Sequence, residues 1–301
     1  MRLPIKFNRA GWPYRTAGQR FFVDDPRPLA NGVPSDLSPS DFSDAISTLQ
    51  FGVTFKTTRP GRQQHSNRFI SRIYAGAKPI ILEVGASDGI TSLDLIRSLG
   101  NNFGHYFVTD LNLSARWGRD PRGVIYFLDY NANCVLRASK RFITYSDVEG
   151  APFPLPFISR VLLSGSRKIV DWHEIMLIQP ELLALSQRDC RISIERYDLF
   201  RPWTGERPDL IKVANLLNAK YFTDSQMKEA LKVQCRNLAP GGRLLLVSED
   251  DDIERFSVFV KSPDAMVLEY THGAGAKASP HVPFAIEPAP GVSTQFVQET
   301  L

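Results

Sequence analysis

Cysteine is scarce in this chain. Cys134, Cys190 and Cys235 lie far apart and form no Cys-x-x-Cys pair. That excludes a disulfide framework and a thiolate zinc site, and it reads as three reduced, buried thiols in a cytoplasmic protein. No apolar run approaches the ~20 residues that cross a bilayer, so no membrane partner is expected. The opening Met-Arg-Leu-Pro-Ile-Lys-Phe-Asn-Arg has no long apolar segment, so no secretory leader is expected either. The five histidines, at 65, 105, 173, 272 and 281, are dispersed, and His-Glu-x-x-His is absent, so no metal is expected. A Gly-x-x-x-x-Gly-Lys-Ser/Thr loop and a Gly-x-Ser-x-Gly elbow are also missing; Leu162-Leu-Ser-Gly-Ser-Arg-Lys has the spacing of neither. A large charge excess is lacking too, at +4 net. The basic stretch Arg59 to Arg68 has no interleaved aromatic residues, so it reads as a solvated loop and helix start, and nucleic acid is not an expected partner.

What is present is an ordinary globular composition, 43% hydrophobic and 23% charged over 301 residues, enough for one large α/β domain or two small ones. One stretch stands out: Pro79-Ile-Ile-Leu-Glu-Val-Gly-Ala-Ser-Asp-Gly89. It reads as a buried strand, a glycine turn and a helix from Thr91 to Leu99, an arrangement that leaves backbone N–H groups free beside a crevice. A dinucleotide site would place a glycine where Ser87 stands.

Residues 1 to 40 carry turn chemistry, including Asp25-Pro-Arg-Pro and Pro34-Ser-Asp-Leu-Ser-Pro-Ser. Ser40 is the expected cap of a short helix reaching Leu49, and Arg68 to Ala75 reads as another helix. After the glycine turn, His105 to Asp110 is a strand ending in an acid. Val124 to Leu128 and Cys134 to Tyr145 read as two strands of a hairpin joined by Asp129-Tyr-Asn-Ala-Asn133. A helix is expected from Asp171, with Glu174 completing a capping box and an interruption at Pro180. Arg191 to Asp198, Pro208 to Asn215 and Leu244 to Val247 read as further strands. Thr223 and Gln226 cap the helix between the last two, and Phe256 to Val260 with Met266 to Tyr270 closes the series as an antiparallel pair.

The order Glu83-x-Gly-x-x-x-Gly89, Asp110, Asp198, Asp209-Leu-Ile through Asn215, then Leu238-Ala-Pro-Gly-Gly242 resembles the class I S-adenosylmethionine-dependent methyltransferases over residues 78 to 272. The segment from Asp209 to Glu249 is similar to the chemotaxis-receptor glutamate methyltransferases in Asn215, Tyr221-Phe222, Gln226, Pro240-Gly241-Gly242 and Ser248-Glu249. It departs from them at Val213-Ala214, where that family carries a basic Cys-Arg.

The resemblance implies a Rossmann-like, doubly wound, mostly parallel seven-stranded sheet with an antiparallel last strand. It implies S-adenosyl-L-methionine as cofactor. The loop Glu83, Gly85, Ala86, Ser87, Asp88 and Gly89 would pass under its methionine part. Asp110, with Leu111 beside it, would accept from the ribose hydroxyls. Asp198 and Leu199 would clamp the adenine, and Asn215 would lie near the methyl. A carboxylate suits a diol because it offers acceptor oxygens and no donor. Asn215 and Tyr221 are the catalytic candidates, and the acceptor would be an O or N nucleophile of a small molecule or peptide. A non-catalytic cofactor-binding or regulatory protein on the same fold is the alternative. Expected organisation is an N-terminal arm of irregular and helical segments over 1–75, a core over 76–275 with an inserted lid or substrate element at 115–188, and a tail over 276–301.

Overall fold

The computed structural model describes residues 3–11, 21–30, 37–52, 54–56, 58–146, 151–250 and 252–283. The expected tail beyond residue 283 and parts of the arm, Pro34 to Asp36 among them, lie outside the described residues. The chain divides into two units, Met1–Asp198 and Leu199–Leu301.

In the first unit the elements run β1 (Ile5–Asn8), β2 (Phe22–Val23), α1 (Pro39–Ser47), β3 (Gln50–Phe51), β4 (Thr54–Phe55), α2 (Gln64–Ile73), β5 (Ile80–Val84), α3 (Ile90–Leu99), β6 (His105–Asp110), β7 (Ser114–Arg119), β8 (Ile125–Leu128), β9 (Cys134–Ala138), β10 (Phe142–Tyr145), α4 (Leu155–Leu163), β11 (His173–Met176), α5 (Pro180–Arg188) and β12 (Ile192–Arg196). The second holds β13 (Leu210–Ala214), α6 (Asp224–Asn237), β14 (Arg243–Asp250), β15 (Ile253–Lys261) and β16 (Met266–His272).

A mostly parallel seven-stranded sheet has the order β12-β6-β5-β13-β14-β15-β16. Within the first unit β12, β6 and β5 pair in parallel, with Glu83 opposite Val108 and Arg196 opposite Asp110. Within the second, β13 and β14 are parallel, while β15 and β16 each run antiparallel to the strand before. Strands buried on both faces read as continuous apolar runs, as Ile80-Ile-Leu and Leu244-Leu-Leu-Val do.

The strands between Ser114 and Met176 build a second sheet with two strands of the arm, of order β11-β7-β8-β9-β10-β1-β2. Its outer strands β1 and β2 come from the arm, β1 antiparallel to β10 and β2 parallel to β1. Phe42 and Ile46 of helix α1, with Leu49 just beyond it, lie in one buried cluster with Phe127, Leu136, Ile143 and Tyr145 of that sheet. Arm and insertion therefore share one core.

Local details depart from the expectations in three places. The helix expected from Asp171 is instead β11, with His173 to Met176 paired to β7; the helix begins only at Pro180, whose fixed φ and missing N–H suit a first helical position. Ser38, not Ser40, caps α1, its oxygen accepting from the Asp41 N–H at 3.1 Å with Pro39 next in line. The expected long strand from Cys134 to Tyr145 is two, β9 and β10, pairing antiparallel around Ser139-Lys-Arg141. The capping box of Thr223 and Gln226 on α6 forms as expected.

Candidate functional site

Residues 85–89 link β5 to α3 through three left-handed positions, Gly85 (φ 76), Ser87 (φ 60) and Gly89 (φ 79). Several of the N–H groups expected to be free are instead engaged, most of them by β6. Those of Gly85 and Ala86 donate to the Thr109 carbonyl at 2.9 Å each, and that of Gly89 to the Ala86 carbonyl at 2.9 Å. The N–H of Ser87 donates to Asp110 Oδ2 at 2.8 Å, and that of Ile90 to Asp88 Oδ1 at 3.0 Å. A turn that satisfies itself keeps its shape without a ligand.

The acids have unlike surroundings. Glu83 is buried, and its Oε2 accepts from the Tyr106 hydroxyl at 2.6 Å. Burial first, then the nearby Glu83 charge and the hydrogen bond to it, pushes the Tyr106 phenol well above its usual range, which keeps it a neutral donor. Asp88 is fully buried; its Oδ2 accepts from Ser43 of α1 and from Gln179 Nε2 at 2.9 Å. Gln179 also gives its backbone N–H to the Asp88 carbonyl at 2.8 Å and its amide to Pro39. Desolvation raises the Asp88 carboxyl above the ordinary aspartate value, against the lowering by these bonds. The side chains of Glu83 and Asp88 thus have partners within the protein and hold α1, α3, α5 and β6 to the turn.

Asp110 closes β6 beside the turn, and Asp198 follows β12, where the Tyr197 N–H donates to the Asp110 carbonyl at 3.2 Å. These two acids end neighbouring strands. Leu111, at 45% exposure, offers open apolar surface next to Asp110. Arg196 Nε donates to the Leu111 carbonyl at 3.0 Å, and the Arg196 guanidinium lies 3.7 Å from the ring centroid of Tyr130. Tyr130 belongs to the β8–β9 turn, so the inserted element reaches the Asp110 edge.

Sequence reasoning missed Lys56. This buried side chain follows β4 and brings its Nζ to 3.0 Å from Asp110 Oδ1 and 2.8 Å from the Ser87 carbonyl. Nothing local marks it, since a single lysine after Thr54-Phe55 looks like any surface charge.

In the second unit Leu199 is buried and its carbonyl accepts from Gln234 Nε2 at 2.7 Å. Asn215 ends β13 in a left-handed conformation, φ 56. Its N–H donates to the Val247 carbonyl at 2.9 Å, and its Oδ1 accepts from the Glu249 N–H at 2.8 Å. The Tyr221 N–H donates to the Asn218 carbonyl at 3.0 Å, and the ring is half-buried.

Contrary to the expectation of three buried thiols, Cys190 is exposed just past α5. Burial pushes Cys134 to about 11 and Cys235 to about 12. Among the described residues no group of histidine, cysteine and acidic side chains has the arrangement of a metal site, and no helix is long and apolar enough to cross a membrane.

No protein-family model and no curated protein sequence matches the chain. Solved structures do resemble it. The N-methyltransferase NodS from Bradyrhizobium japonicum WM9 is 19% identical over 63% of this chain and 68% of its own, with a TM-score of 0.33. The same enzyme in complex with S-adenosyl-L-homocysteine is 19% identical over 73% and 69%, with a TM-score of 0.32. An O-methyltransferase family protein from Burkholderia thailandensis is 13% identical over 70% of this chain and 42% of its own, with a TM-score of 0.33. Identities and TM-scores this low decide neither reaction nor substrate.

Proposed function

We propose that the chain is a class I S-adenosylmethionine-dependent methyltransferase acting on an O or N nucleophile of a small molecule or peptide. The observation that carries this reading is the coupling of the glycine turn to the acid of the next strand, Ser87 N–H to Asp110 Oδ2, with Asp198 ending the strand beyond. The glycine turn and Asp110 lie together at the carboxyl ends of two neighbouring parallel strands, the side on which ligands of open α/β sheets bind.

The residues fit an adenosyl group in part. Asp110 would accept from the ribose, and exposed Leu111 would flank the adenine. Glu83 and Asp88 would act through the shape of the turn, their carboxylates being engaged with Tyr106, Ser43 and Gln179. Leu199, Asn215 and Tyr221 belong to the second unit and are proposed there as adenine-flanking and acceptor-positioning residues. The cofactor, when bound, supplies an activated sulfonium methyl, so the chain's own task is to hold a nucleophile in line. Orientation of this kind can supply about 7–11 kcal/mol of barrier lowering. Asn215 would position the acceptor through its amide; no general base is assigned. The resemblance of residues 209–249 to the receptor glutamate enzymes supplies no acceptor, since the basic residue of that family is replaced by Ala214.

The test is a calorimetric titration with S-adenosyl-L-homocysteine, followed by transfer of a labelled methyl to a panel of metabolites and peptides. Binding that Asp110→Ala abolishes, with label appearing on an acceptor, supports the reading. Absence of binding, or preference for NAD, ends it. A second reading, a cofactor-binding regulator without transfer, is favoured by Ser87 in place of a middle glycine, held at φ 60 in the turn. Tight binding with no labelled product in a whole-cell extract would support that one instead.

A further inference from the structure

A carboxylate offers about four acceptor positions. At Asp110 three are taken: Oδ2 by the Ser87 N–H at 2.8 Å, and Oδ1 by the Asn112 N–H at 2.8 Å and by the Lys56 ammonium at 3.0 Å. The two backbone donors belong to the turn and to the chain leaving β6, and they are fixed by the fold. Lys56 is different. It reaches in on a flexible four-carbon stem from the segment after the β3–β4 hairpin. With Lys56 in place, Asp110 has room for one hydroxyl. A vicinal diol, which needs two, is accommodated only when the ammonium leaves.

Resting on the methyltransferase reading, we infer that Lys56 is a gate on Asp110, an ion pair within the protein that the ribose diol of the cofactor must displace. The same ammonium holds the Ser87 carbonyl at 2.8 Å, so its release also frees the glycine turn from the hairpin segment. The closed form is thereby stabilised by contacts that the bound form lacks. Apparent affinity falls by the fraction of molecules that are open, so a chain open one-tenth of the time binds about tenfold more weakly than its ungated variant.

Two measurements test this. S-adenosyl-L-homocysteine is titrated calorimetrically into the full chain and into Lys56→Met, which keeps the length of the stem and removes the donor, with circular dichroism to check folding. The variant is expected to bind about tenfold more tightly. Separately, amine acylation of the unmutated chain is followed by mass spectrometry, with exposed Lys168 as internal standard. Buried Lys56 is expected to react slowly in the free protein and about tenfold faster when S-adenosyl-L-homocysteine saturates it. The acylation arm stands even if Lys56→Met fails to fold. If the unmutated chain binds, but Lys56→Met binds equally or more weakly or Lys56 stays protected in the complex, the gate is overturned and the methyltransferase reading survives. If only Lys56→Met binds, the gate is supported. If neither binds, the reading and the gate fall together.

Discussion

The hydroxyl of Tyr106 and the carboxylate of Glu83 meet at 2.6 Å across the parallel pair β5 and β6, both side chains almost wholly buried. Removing a donor from a buried carboxylate leaves part of its desolvation cost uncompensated. Tyr106→Phe is therefore expected to lower stability by about 1–3 kcal/mol in chemical denaturation. Glu83→Gln, whose amide oxygen still accepts from the phenol, is expected to lose less. Equal losses would mean that the carboxylate charge matters as much as this bond.

Asp88 gives a pH dependence of known sign. Its carboxyl is raised in the folded chain, chiefly by burial, so the folded state keeps this proton to a higher pH than the unfolded state does. The stability from this group is full below the unfolded value of about 4 and declines as pH rises through the folded one. Asp88→Asn cannot titrate, and it turns an amide nitrogen toward donors that now meet an oxygen. It is expected to be less stable than the unmutated chain by about 1–3 kcal/mol near pH 4, with the difference narrowing as pH rises. Denaturation midpoints across pH 4 to 8 would show it, and a difference that widens would overturn the assignment.

Gly89 and Gly100 both bracket α3 with positive φ, 79 and 58, but only one is crowded. A Cβ on Gly89 would run into the Leu182 side chain of α5, whereas one on Gly100 would meet open space. Gly100→Ala is expected to cost about 1–3 kcal/mol, because φ 58 with ψ −113 is a backbone conformation that only glycine adopts readily. Gly89→Ala, in the left-handed α region, is expected to combine about 1–2 kcal/mol of backbone cost with about 1–3 kcal/mol of overpacking against Leu182. Thermal melts of the two variants side by side measure the difference.

Under the proposed function, Asn215 separates fold from function. Asn215→Asp keeps the oxygen that accepts from the Glu249 N–H and the tolerance for φ 56. Its melting temperature is expected to stay close to that of the unmutated chain, while methyl transfer falls by about tenfold or more through loss of the amide. Unchanged transfer would reduce Asn215 to a strand-end residue.

Thiol chemistry should single out one cysteine. Exposed Cys190 is expected to alkylate readily at pH 8, and Cys235, buried and held near 12, to react only after unfolding. Peptide mapping after a short iodoacetamide pulse distinguishes them.

Periodicity and turn chemistry located β5, α3, β6, β13, α6 and β14, because apolar runs, caps and glycines act within a few residues of themselves. The same local signals misread His173 to Met176, where pairing with β7, a partner some 60 residues earlier, outweighed a plausible capping box. They also misjudged the turn's N–H groups, which find the Thr109 carbonyl and the Asp110 carboxylate on the next strand.

The sequence by itself determined the alternating strand-and-helix chassis and the acids and glycines at its strand ends, since burial pattern and backbone conformation are written residue by residue. Tertiary structure alone decided which of those acids remain available. Glu83 is claimed by Tyr106, Asp88 by Ser43 and Gln179, and Asp110 by Ser87, Asn112 and Lys56. A carboxylate has few acceptor positions, and most of the side-chain donors that fill them here arrive from elements distant along the chain.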